Sequence, residues 1–376
     1  MGRGRGHAAA PDEAAFANPV WLTFHRGHLT RFLAECLEEM DLTVLRGRMA
    51  RLRETVRAVP VDHYLFDATA DPAVFRQDIL LGEIDQIVEA RTISRAHYYI
   101  SRLKAGAERV QCGDVNDINL LRWKEYDEVL TDSLWLLKRR DTSGAHLGWY
   151  WGNFVPQIPH QLLLRYTKQG DWVVDPFVGS GTTLIECRRL GRNGLGVELD
   201  AEVAARARQI VAEEPNPHDV VSDIVEGDSA AVDFSASLIA RGVDAAQLVI
   251  LHPPYHDIIR FSDDPRGLSN AASVQEFLEM LGQIVERTAL VLEEDRYLAL
   301  VIGDKYLRGE WVPLGFYAMQ QVLQRGFRLK SIVVKNFEKT RAKRQQQALW
   351  RYRALVGGFY VFKHEYIFIF RRCSGE

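Results

Sequence analysis

The chain has 376 residues, 47% of them hydrophobic, enough to build one large or two medium cores. Its formal net charge of −3 gives no global basic signature, so contact with nucleic acid has to come from a local patch. Cys36, Cys112, Cys187 and Cys373 stand far apart without a CxxC pair, which offers neither a zinc site nor a disulfide framework and fits a cytoplasmic setting; no apolar run is long enough for a membrane span.

Residues 1–18, rich in Gly, Ala and Arg without periodicity, read as a flexible tail. Residues 19–144 read as a mainly helical N-terminal region, since apolar residues recur at spacings of three and four through HLTRFLAECLEEMDLTVLRGRMARLRETV. It carries no catalytic motif and is a possible recognition domain. Over 145–376 the pattern changes: the short runs WVVDPF, GLGVEL, QLVILH, YLALVIGD, LKSIVVKN and EYIFIF alternate with helical segments. Strands of that kind predict an α/β fold with a mostly parallel sheet covered on both faces.

The first motif is DPFVGSGTT, from Asp175 to Thr183, directly after the strand WVVD and before the helix TTLIECRRL. Gly179 and Gly181 let the backbone turn sharply and come close to a ligand, while the N–H groups of the helix start face the same space. Leu184 breaks the GxGxxG register and no GK[ST] follows, so neither a dinucleotide nor a P-loop nucleotide fits. The next strand ends in Glu198, placed to hold a ribose diol, and the turn VEGDSA supplies Asp228, placed to accept from an adenine amino group. Both carboxylates also suit a plain helix-capping role.

After QLVIL comes His252-Pro253-Pro254-Tyr255. Two consecutive prolines remove two backbone donors and fix φ, which holds the loop rigid where a buried strand ends.

Taken in order, DPFVGSGTT with its downstream GVELD, the GDS turn and HPPY resemble the DNA amino-methyltransferases, the family that modifies cytosine N4 or adenine N6. Upstream, GNFVPQIPHQLLLRYTKQGD resembles the helix that covers the methionine end of that family's cofactor. The resemblance spans 145–376. It implies a Rossmann-like class I methyltransferase sheet with an antiparallel edge strand. It also implies S-adenosylmethionine as cofactor, S-adenosylhomocysteine as product, double-stranded DNA as substrate and a cognate restriction or defence protein as a possible partner. Asp175, Phe177, Gly179, Ser180, Gly181 and Thr182 would then surround the cofactor, with Glu198 on the ribose and Asp228 near the adenine. His252 and the Pro253 carbonyl would accept from the target amine, Pro254 would stiffen the loop, and Tyr255 would stack on a flipped base. His252 departs from the family's usual Asp, Asn or Ser, although a neutral imidazole still accepts one hydrogen bond. An RNA base as substrate and a non-catalytic nucleic-acid-binding relative remain alternatives.

For gripping DNA, the segment from Lys335 to Arg353 mixes basic residues with aromatics and contains Glu338 as its sole acid. Lys339, Arg341, Lys343, Arg344, Trp350, Arg351 and Arg353 are its candidate contacts, a solvated basic loop being the plain alternative. Asp257 and Arg260, in the stretch after HPPY, are candidates for positioning the target. His364 and Glu365 lack HExxH spacing, so no metal is expected and a role at the sheet edge is assigned to them.

Overall fold

The computed structural model of the protein describes residues 19–58, 64–66, 71–307, 309–336 and 347–374. The tail expected over 1–18 lies outside the described residues. The described residues form two compact units, one of those up to 112 with 119–127 and one of 113–118 with those from 128 onward.

In the first unit an antiparallel ribbon, β1 (Trp21–His25) and β2 (Pro72–Arg76), accompanies α1 (Arg26–Glu38), α2 (Leu42–Ala58), α3 (Gln77–Val88) and α4 (Ile93–Glu108). The spacing seen in the sequence is the buried stripe: Leu29, Leu33 and Cys36 on α1, then Leu45, Met49, Leu52 and Val56 on α2. The ribbon was not expected, because its inward residues on β1, Leu22 and Phe24, make an alternation too short to stand out from the helical pattern.

The second unit is built on eight strands. They are β3 (Leu134–Trp135), β4 (Trp172–Asp175), β5 (Asn193–Glu198), β6 (Ser222–Glu226), β7 (Ala246–Leu251) and β8 (Leu292–Ile302), then, past a hairpin of β9 (Lys305–Leu307) and β10 (Glu310–Val312), β11 (Phe327–Asn336) and β12 (His364–Arg372). Their order in the sheet is β3-β11-β12-β8-β7-β4-β5-β6. β4 pairs in parallel with both β5 and β7, so the order reverses there; loops leaving the carboxyl ends of β4 and β7 flank a crevice.

The antiparallel strand is β12, and it lies inside the sheet between β8 and β11, not at an edge. Its run is apolar on both faces because both are covered: Ile367 and Ile369 join one core, Phe368 and Phe370 the other. The boundary drawn at 144 falls earlier, because Leu134 and Trp135 pair in parallel with Val334 and Lys335 and so belong to this sheet.

Strand alternation divides the remaining core the same way. Val249 and Leu251 of β7 face the side of α9 (Val274–Val291) and α10 (Leu314–Leu323), while Leu248 and Ile250 face α5 (Gln157–Tyr166). A separate cluster packs α6 (Thr182–Leu190) on α7 (Ala201–Glu213), and α8 (Phe234–Ile239) adds Phe234 and Leu238 to the first face. Phe368 is fully buried between two neighbouring strands, so Phe368→Ala should cost about 3–5 kcal/mol. Urea unfolding measures this, and a loss below about 1 kcal/mol would mean that β12 is not a central strand.

Candidate functional site

One cavity of about 760 Å³ opens at the carboxyl ends of β4, β5, β7 and β8. That lies in the upper part of the range of roughly 300–1,000 Å³ typical of small-molecule sites. Its wall includes Phe177, Gly179, Ser180 and Thr182 from the glycine turn, Glu198, Asp228, and all of His252, Pro253, Pro254 and Tyr255. Two motifs far apart in sequence therefore share one space.

The turn is held from below. Asp175 is buried, accepting from the Phe177 backbone N–H at 2.9 Å and from the Thr183 hydroxyl at 2.6 Å. Burial pushes its pKa up to about 6, and these two donors pull the other way. It does not reach the cavity wall and acts as a brace. Gly181 is off the wall as well, at φ 83°. A Cβ there would stand 2.5 Å from Val211 Cγ2, so this glycine lets α7 approach the start of α6 and does not make room for a ligand. Gly179, at φ 48°, does line the wall, beneath the Tyr150 ring. Its N–H donates to Glu198 Oε2 at 3.1 Å, and Glu198 Oε1 accepts from the Asp200 N–H at 3.0 Å. Burial raises the Glu198 pKa, while those backbone donors stabilise the charge. Each carboxylate oxygen keeps a lone pair for a hydroxyl. Asp228 spends Oδ1 on the Ala230 N–H at 2.9 Å.

These residues fit a nucleoside-like ligand: backbone left bare by Gly179, helix-start N–H groups, and two carboxylates that accept from hydroxyl and amino groups. Ser180 is tied in by Asn153, whose side-chain amide donates to its hydroxyl at 3.1 Å.

At the other end, the His252 ring stacks on Phe154 with centroids 4.6 Å apart and planes 18° apart, and Tyr255 meets it edge-on. Burial pushes the His252 pKa down to about 4; nearby Glu365 opposes this and Lys335 adds to it. The imidazole is therefore neutral at neutral pH. The Tyr255 hydroxyl donates to Glu365 Oε2 at 2.7 Å, and Lys335 Nζ donates to Glu365 Oε1 at 2.9 Å. Gly303 leaves the space that Tyr255 fills, since a Cβ there would come within 2.9 Å of Tyr255 Cε2. The following turn is pinned by buried Lys305, which donates to His256 Nδ1 at 2.8 Å and pairs with Asp257.

The remaining candidates fall elsewhere. Asp257 is taken by Lys305, Arg260 pairs with exposed Asp263 at 2.9 Å, and neither lines the cavity. Lys339, Arg341, Lys343 and Arg344 lie outside the described residues. Trp350, Arg351 and Arg353 sit on α11 (Gln347–Gly357), away from the cavity wall, with the Arg353 guanidinium 5.4 Å from the Trp350 ring centre. Lys335, from the head of the basic segment, and His364 and Glu365, expected at a sheet edge, line the cavity, joined by Tyr150, Phe154, Gly303 and Asp304, which sequence reasoning did not single out. Among the described residues Asp141, His146 and Glu186 come close enough to share a cation, but Arg189 already reaches both Glu186 (3.3 Å) and Asp141 (3.4 Å) and offsets their charge. No helix among the described residues is long and apolar enough to cross a membrane.

The DNA methylase family profile matches residues 97–209, which include the glycine turn and Glu198. The Type II methyltransferase M.MjaII of Methanocaldococcus jannaschii is 44% identical over 50 residues, 13% of this chain and 9% of that protein. The tRNA (guanine(10)-N2)-dimethyltransferase of the same organism is 30% identical over 139 residues, 36% of this chain and 35% of that protein. The solved structure of TrmN from Thermus thermophilus has a TM-score of 0.37 at 17% identity, over 59% of this chain and 50% of that one. Other Type II methyltransferases match over similarly short stretches. Residues 97–209 are thus similar to the DNA methylases, and the mostly parallel sheet with β12 inserted antiparallel is Rossmann-like. The chain spans between 9% and 35% of the length of the curated relatives it matches.

The two glycines should behave differently. Gly181→Ala strains φ and collides with Val211, so it should lower the unfolding midpoint, whereas Gly303→Ala should leave stability nearer wild type and shift the Tyr255 ring. Thermal unfolding and tyrosine fluorescence read the two effects; equal destabilisation by both would contradict the assignment.

Proposed function

We propose that the protein is an S-adenosylmethionine-dependent DNA methyltransferase that methylates the exocyclic amino group of a flipped base, cytosine N4 or adenine N6. The observation that carries this reading is the single cavity shared by the Gly179 turn with Glu198 and the His252-Pro-Pro-Tyr255 loop. When bound, S-adenosylmethionine supplies a methyl group on a positively charged sulfur.

The chain's own residues do the rest. Glu198 accepts from the ribose hydroxyls, Asp228 accepts from the adenine amino group, and the bare backbone at Gly179 admits the methionine portion. A base inside a duplex is out of reach, so it has to leave the stack before its amine can be presented. Tyr255, fixed by Gly303 and Glu365, offers a face for that base to stack on. His252 and the Pro253 carbonyl accept the two amine hydrogens, which aims the nitrogen lone pair at the methyl group. Because the imidazole is a weak base here, it serves as a hydrogen-bond acceptor for the amine and leaves the released proton to solvent. Binding along the DNA backbone is assigned to the basic segment leading into α11, Lys339, Arg341, Lys343 and Arg344 followed by Trp350, Arg351 and Arg353.

An RNA base is the second reading, favoured by the 139-residue match to the tRNA enzyme. Transfer of labelled methyl to DNA and to tRNA in competition, followed by mass spectrometry of the nucleosides, separates the two. Label in N4-methylcytosine or N6-methyladenine is expected, and label confined to RNA would replace DNA as the substrate.

His252 gives a sharper test. Protonation removes the acceptor, so single-turnover rates should stay level from pH 8 to 6 and fall only as pH drops toward about 4. An acid limb centred at the ordinary histidine value of about 6.5 would contradict the buried neutral ring. At pH 7.5, His252→Ala should slow transfer by about 10²-fold and His252→Asn by less, since an amide oxygen also accepts.

A further inference from the structure

Lys335 and Glu365 face each other directly across the antiparallel pair of β11 and β12. Both are buried and both line the cavity, and beyond fixing the Tyr255 ring neither touches the reacting groups. Their hydrogen bonds have a direction. An ammonium only donates, so Lys335 Nζ gives a proton to Glu365 Oε1, 2.9 Å away. A carboxylate beside that ammonium only accepts, so the Tyr255 hydroxyl gives its one proton to Oε2 at 2.7 Å. With that proton committed, the Tyr255 oxygen can only accept from its next neighbour, His252 Nε2, 3.5 Å away. This last link is long, as catalytic hydrogen bonds often are before substrate closes the site. Among the described residues no group hydrogen-bonds the other ring nitrogen, Nδ1.

We propose that Glu365, oriented by Lys335, is a positioning residue that sets the His252 tautomer: the relay fixes the proton on Nε2 and leaves Nδ1 bare, as the acceptor for the target amine. The carboxylate absent from the HPPY loop is thus supplied from β12, two residues removed from the amine through Tyr255 and His252. This inference rests on the proposed methylation of a base amine at His252.

A substitution that reverses the relay tests it. In Glu365→Gln the carboxamide oxygen has to face Lys335, which turns the NH₂ toward Tyr255. That group donates to the tyrosine oxygen, the hydroxyl proton swings to His252 Nε2, and the imidazole proton moves to Nδ1, where it opposes the amine hydrogens. In Glu365→Gln with Lys335→Met the amide is free to turn its oxygen back to Tyr255. The readouts are ¹⁵N histidine NMR of the free protein, with the His252 signal identified by its loss in His252→Asn, and single-turnover methyl transfer.

The wild type should show Nε2 protonated, and Glu365→Gln should show Nδ1 protonated with transfer slowed at least tenfold and cofactor affinity unchanged. The double variant should recover the Nε2 signal and part of the rate. An Nδ1-protonated wild type, or the same tautomer in all three proteins, overturns the proposal. If the tautomers follow the expected course but wild-type protein transfers no methyl group to any nucleic acid, the relay stands and the reading of function fails.

Discussion

The parallel pairing of β4 with β7, Val173 against Leu248 and Val174 against Val249, is the constraint on which the site depends. Because the strand order reverses there, the loop leaving β4 and the loop leaving β7 flank one crevice. The first loop is shaped for close backbone approach, with Gly179 at φ 48° against Glu198. The second is stiffened by two prolines and clamped by Lys305 through His256 and Asp257. The sheet itself thereby holds the glycine turn and the HPPY loop side by side, as the proposed division into a cofactor end and a base end requires.

The electrostatics of the base end differ from those of a plain carboxylate site. His252 is neutral, stacked on Phe154 and met edge-on by Tyr255, so it offers a lone pair without a charge. The charged pair stands one layer behind, and Lys335 keeps Glu365 from being an uncompensated buried anion. Such an arrangement favours orientation over proton abstraction. An attacking amine needs its lone pair free and its hydrogens directed, and a neutral acceptor backed by the proposed relay would meet both needs.

Much of this was legible in the sequence, for physical reasons that differ by residue. Gly179, Glu198 and the HPPY run announce themselves because a turn, a strand tip or a double proline is a local event, readable within ten residues. Gly181 carried the same signal as Gly179, yet its missing Cβ faces Val211 on α7, a direction that no local pattern encodes. Lys335 was read at the end of a strand and the head of a basic segment, and Glu365 as a sheet-edge residue, neither as part of the cavity. Their meeting depends on the register of β11 with β12, and β12 looked like an edge strand until its insertion beside β8 was seen. Gly303 is of the same kind, since the ring it accommodates comes from a different strand end. The helical periodicity of the first unit came through because it is repeated over many turns, while the five-residue strands of its ribbon did not.

The central claim is that one cavity has two chemically separate halves, a cofactor half at Glu198 and a base half at His252. Calorimetric titration of S-adenosylhomocysteine into wild type, Glu198→Ala and His252→Ala tests it most directly. Glu198→Ala should weaken binding by about 1.5–3 kcal/mol through loss of hydrogen bonds to a charged group, with His252→Ala within a few tenths of wild type. Equal affinities for all three proteins, or a larger loss in His252→Ala than in Glu198→Ala, would contradict the division of the site.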